Sequence, residues 1–134
     1  MSTDSSAIAQ YVQNIPNGTE IPDESFTKRH RGILLFTAAF VPFVFAVSRL
    51  TGVRSITGAE LPAIPFTHSV AGVSLIAGLL LGAAVPAFPR RIRSALAAVA
   101  FMTVGSVLAY FSGGFIEAHF LYFIGVGVVA LYED

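Results

Sequence analysis

The hydrophobic positions of this chain come in four long blocks, not in the alternation of a strand or the one-sided stripe of a soluble helix. Ile33 to Leu50 is the first, with a single charge, Arg49, near its end. Such a run suits the roughly 20 apolar residues that an α-helix needs to cross about 30 Å of hydrocarbon. A second block runs from Phe66 to Phe88, a third from about Ser94 to Ser112, and a fourth from Phe115 to about Leu131. Between them lie a loop at 51–65 bearing Gly and Pro, a tight basic turn of Pro89, Arg90, Arg91, Ile92 and Arg93, and the pair Gly113 and Gly114. The pattern predicts an all-α fold, a four-transmembrane-helix antiparallel bundle over 33–134. The short linkers favour an up-and-down order, and a polar N-terminal segment, 1–32, precedes the bundle.

Within that segment Pro16, Asn17 and Gly18 predict a turn, and Pro22, Asp23, Glu24 and Ser25 a helix start. The rest is expected to be a mobile tail. The first apolar block begins too late for a secretory signal, so the segment is expected to stay attached. Asn17, Gly18 and Thr19 spell a glycosylation sequon, but so short a pattern arises by chance and this one falls on the side expected to be cytoplasmic.

Composition agrees with the blocks, since 54% of residues are hydrophobic and 12% charged, against about 25% charged in soluble domains. The formal net charge is zero, so bulk electrostatics points to neither a nucleic-acid partner nor an anionic surface, and local placement carries the information. Lys28, Arg29 and Arg31 precede the first block and Arg90, Arg91 and Arg93 join the second to the third, whereas only Arg49 and Arg54 fall near the 51–65 loop. Cytoplasmic loops accumulate Lys and Arg. The expectation is a multi-pass cell-membrane protein with both termini cytoplasmic and the loops at 51–65 and 113–114 outward. The absence of cysteine excludes a disulfide framework and a thiolate metal site.

Gly78 and Gly82 supply a G-x-x-x-G on the second block, and Gly105 and Gly125 lie inside the third and fourth. Small residues let helices approach closely, so these are expected to serve packing within the chain or between copies. Pro42 removes a backbone donor in mid-helix and is expected to act as a kink or hinge.

His68 sits in the first turn of the second helix, and Glu117 and His119 in the first turn of the fourth, so all three share one leaflet. Ionisable groups at membrane depth are costly and face a partner, a cavity or a ligand. One reading is an outward-facing ligand or metal pocket of His68, Glu117 and His119, with Tyr110 or Thr67 adding hydrogen bonds. Another is shallower: Glu117 anchors at the interface or meets the positive end of the helix dipole, or pairs structurally with a histidine. Residues two apart on a helix point about 200° from one another, so Glu117 and His119 cannot chelate one ion without distortion. Haem or a metal through His68 and His119 would be the remaining pairing, with His30 at the opposite face. No P-loop, G-x-S-x-G, H-E-x-x-H or intramembrane Asp pair is present, so binding is expected and enzymatic activity is not.

The run Ser112 to Phe123, SGGFIEAHFLYF, followed by Ala130, Leu131, Tyr132, Glu133 and Asp134, resembles the membrane input module of prokaryotic multi-pass sensory receptors, haloarchaeal ones among them. The shared features are a glycine pair, an Ile-Glu, a His-Phe-rich helix start and a closing Leu-Tyr-x-Asp. Lys28-Arg29-His30-Arg31-Gly32 also resembles that pattern, and the likeness runs from about Phe26 to the end. It implies a sensory or regulatory module of the kind placed ahead of methyl-accepting, histidine-kinase or diguanylate-cyclase outputs, with Glu117 and His119 as ligand or signalling residues. Leu121 stands where a second histidine is expected and Phe40 where one precedes Val-Pro, which implies a reduced or altered site. No output domain follows, so the module is expected to act through a membrane-protein partner or a second copy. The alternative is a small accessory subunit of a larger membrane complex.

Overall fold

The first helix starts ten residues ahead of its apolar block. In the computed structural model, which describes residues 21–132, α1 spans Asp23–Arg49, α2 Phe66–Ala84, α3 Arg90–Phe111 and α4 Ile116–Ala130. The turn expected at 16–18, the sequon, and Glu133 and Asp134 lie outside the described residues. Asp23 and Glu24 occupy the first turn of α1, where the helix dipole favours acidic groups. The early start is explained by burial: Phe26, His30, Ile33 and Thr37 are all buried, a stripe at three- and four-residue spacing that continues the apolar face of the block back into the polar segment. The last ten residues of the polar segment are thus part of the bundle.

The all-α bundle expected from the sequence is the fold observed. Its plan is a central α3 against which α1, α2 and α4 all pack, with α1 also on α2. Ala97, Ala100, Phe101, Val104, Leu108 and Phe111 of α3 are accordingly buried. α4 leans on α3 and has little direct packing with α1. Outward, large apolar side chains stand exposed on every helix, among them Leu35, Leu75, Val99 and Phe123, as in a bundle solvated by lipid. α1, α2 and α3 are long and apolar enough to cross a membrane. α4 is apolar but has 15 residues, about 22 Å at the helical rise.

Glycines set the seams of this plan unequally. An added Cβ at Gly125 would come within 2.7 Å of Met102 on α3, at Gly105 within 3.3 Å of Tyr122 on α4, and at Gly82 within 3.3 Å of Leu96 on α3. A Cβ at Gly78 would meet nothing within 4 Å, whereas Gly72, six residues earlier in α2, lies 2.9 Å from Val107 by the same measure. The close approach of α2 to α3 is therefore made at Gly72 and Gly82. Pro42 lies inside an α1 that stays helical throughout. It cannot donate to the carbonyl four residues earlier.

Candidate functional site

One end of the bundle gathers the 51–65 loop, the starts of α2 and α4 and the ends of α1 and α3; the other gathers the start of α1, the α2–α3 turn and the end of α4. They are called below the loop end and the basic end.

At the loop end, residues 51–65 form an ordered hairpin-like strap. Arg54 and Glu60 pair as an isolated antiparallel bridge and as an ion pair at 2.7 Å, and Ser55 N donates to Ala59 O at 2.7 Å. The strap is clasped by Glu117. Its carboxylate accepts from Ser55 Oγ at 2.9 Å and 3.1 Å and from the Ile56 amide at 3.1 Å. Gly113 and Gly114, both at positive φ, turn the chain back into α4 and bring Glu117 to the strap. A cavity of about 420 Å³ opens beneath it, walled by Phe40 and Phe43 of α1, Leu108 of α3, Leu121 of α4 and Leu61 of the strap, with Glu117 at its polar edge. The cavity exists because α4 rests on α3 and leaves α1 unoccupied at this end.

His68 belongs elsewhere. Its Nδ1 is 2.9 Å from the Tyr110 hydroxyl, joining the start of α2 to the end of α3. The pair lines a separate cavity of about 380 Å³ with Thr103 and Ser106; it shares no lining residue with the first. His119 lines neither: its Nδ1 is 2.9 Å from the Phe115 carbonyl of its own helix, so that nitrogen donates. The structure thus brings His68 and Tyr110 together but not His68, Glu117 and His119. All three lie in the first turns of α2 and α4, each with a different partner. Among the described residues no three His, Asp or Glu side chains are placed to hold one metal ion.

The basic end carries a constellation that the sequence reading passed over. His30 is 1% exposed. Its Nε2 is 2.9 Å from the Ala83 carbonyl at the end of α2, and its Nδ1 is 2.7 Å from the Tyr132 hydroxyl just past α4. A carbonyl only accepts, so Nε2 carries the hydrogen, and in the neutral ring Nδ1 accepts from the phenol. Burial pushes the Tyr132 phenol up to about 12, only partly offset by the charge of Arg93, so it stays a donor at physiological pH. Phe26 stacks on the imidazole at 5.3 Å and 11°, and the Arg90 and Arg93 guanidiniums of α3 lie 5.0 Å and 5.8 Å from the Phe26 ring centre. Arg90 also pairs with Asp23, and Arg29 donates to Leu131 O at 3.4 Å. All four helices meet in this knot. Phe26 and His30, four apart and in line with Ile33 and Thr37, were the signal available in the sequence.

Set beside known proteins, the chain matches no family model and no solved structure. It is 39% identical over 129 residues to Transducer protein Htr8 of Halobacterium salinarum, an alignment that takes in 96% of this chain. The chain spans 20% of the length of that relative, so the likeness covers one segment of a much longer protein.

Proposed function

We propose that this chain is a sensory or regulatory membrane module without enzymatic chemistry of its own, acting through a membrane-protein partner or a second copy. The similarity to a transducer protein over nearly the whole chain supports a signalling role. The observation that carries the mechanism is the contrast between the two ends: α1 and α4 are separated by an apolar cavity under the Glu117 clasp and tied together through His30 and Tyr132 at the other end. A small apolar ligand or a neighbouring helix that changes the occupancy of the cavity would tilt α4 on α3 and so move the end of α4 against the knot. Glu117 is the signalling residue of this reading; His119 and the His68–Tyr110 pair are secondary. The six basic residues Lys28, Arg29, Arg31, Arg90, Arg91 and Arg93 put the basic end in the cytoplasm, and α4, reaching from the strap to Tyr132, is a fourth span.

The chain has no native cysteine, so labels can be placed freely. Spin labels at Val47→Cys with Ala118→Cys report the loop end in nanodiscs, and labels at Lys28→Cys with Ala130→Cys the basic end. Filling the cavity with Leu121→Trp should widen the first distance and shift the second. A shift confined to the loop end would sink the coupling. An accessory subunit would instead co-purify with a fixed partner and show no linked movement.

A further inference from the structure

We infer that the groove between α1 and α2 at the basic end holds one anionic phospholipid of the adjoining leaflet. The inference rests on the membrane reading of α1 and α2 but not on the α1–α4 coupling. The groove has a volume of about 580 Å³ and runs from Arg31 past Leu35 and Ala38 to Pro42 on α1, facing Ala77 and Ala84 of α2. Its walls are apolar and its floor is low because alanines stand on both helices. From Arg31 to Pro42 the helical rise amounts to about 16 Å, half of a hydrocarbon core of about 30 Å. The groove thus begins at the level where headgroups lie and ends at mid-membrane, the reach of one acyl chain.

Charge decides which lipid. Arg31, at the mouth, is exposed and makes no hydrogen bond or ion pair with any other described residue. Its neighbours are committed: Arg90 to Asp23 and Phe26, Arg93 to Phe26 and Ala83 O, Arg29 to Leu131 O. A free guanidinium at the head of an acyl-sized groove suits a phosphate monoanion, which it can grip with two parallel donors. A lysine or arginine beside an anionic membrane surface contributes about a fivefold gain in binding.

The test is native mass spectrometry of the full chain extracted from nanodiscs holding equal phosphatidylglycerol and phosphatidylcholine. A single phosphatidylglycerol adduct is expected, lost about fivefold in Arg31→Gln and restored by Arg31→Lys. Ala38→Phe, which blocks the groove without touching charge, should remove the adduct while leaving the helical circular dichroism and melting unchanged. Equal adducts of both lipids, retention in Ala38→Phe, or an equal loss in Arg91→Gln would overturn the proposal, the last because it would mean a diffuse basic surface. Failure of the chain to enter nanodiscs would instead overturn the membrane reading beneath it.

Discussion

The two ends of the bundle use their polar side chains in opposite ways. At the basic end the imidazole of His30 is sealed under Phe26 and holds groups from two other helices. At the loop end Ser48, Ser69 and Ser112 are buried on backbone carbonyls, but the groups that join one element to another lie further out: Glu117 is half-buried where it grips the strap and the His68–Tyr110 pair is exposed, while beneath the strap the helices part. Burial makes the difference. A hydrogen bond shielded from water is costly to break because its partners are left unsatisfied, whereas an exposed one exchanges for water at little cost. On the proposed function the basic end is the fixed one and the loop end the yielding one, the arrangement needed for a displacement at one end to be read as a tilt about the other.

The largest effect should come from breaking the fixed end. His30→Ala removes a buried ring and leaves the Ala83 carbonyl dependent on Arg93 alone, for an expected loss of about 3 kcal/mol. Thermal melting in mild detergent, followed by circular dichroism, measures it. A melting point within a degree of the parent would mean the knot is no anchor, and the contrast between the ends would collapse. Next comes the seam shared by both ends. Met102, whose flexible tip lies 2.7 Å from where a Cβ at Gly125 would be, can swing away from an alanine but not from a leucine, so Gly125→Leu should cost about 2 kcal/mol and Gly125→Ala far less. Equal effects would mean that α4 does not press on α3 there.

How much of this was legible beforehand follows from what periodicity encodes. The blocks at 66–88, 94–112 and 115–131 lie over Phe66–Ala84, Arg90–Phe111 and Ile116–Ala130, because a run of apolar residues marks depth directly. The helix start expected at Pro22–Ser25 is where α1 begins, but the apolar face of the block starting at Ile33 extends ten residues further back than expected, since Asp23, Lys28 and Arg29 mask a stripe that only every third or fourth residue reveals. Depth also placed His68, Glu117 and His119 in the first turns of the second and fourth helices, and they fall in the first turns of α2 and α4. What depth does not give is the direction each side chain takes around its helix, which depends on how the helices are rotated and spaced. That is why His68 meets Tyr110, Glu117 meets the strap and His119 turns to its own backbone, and why the gap between α1 and α4 left no trace in the sequence.

At the yielding end, Glu117→Gln should leave melting nearly unchanged and free the strap. The amide keeps one acceptor oxygen but loses the charge that strengthens its bonds to Ser55 and Ile56. Hydrogen exchange at the Ile56 amide, which donates to the carboxylate in the parent, should quicken severalfold, with Leu108 and Phe111 on α3 unaffected. If the core slows or quickens with the strap, the clasp is part of the bundle's stability and the two ends are not distinct in kind.

The smallest effect is expected of His68→Phe. Phenylalanine keeps the ring and its packing beside Tyr110, whose centroid lies 6.0 Å away, and gives up only an exposed hydrogen bond that water can replace. Melting should be indistinguishable from the parent, and so should the label distance across the α1–α4 cavity, since His68 lines the other cavity. A measurable change in that distance would show that the two cavities communicate through α3. The site would then have to be redrawn around the helix that separates them, with His68 restored beside Glu117 as part of one responsive unit.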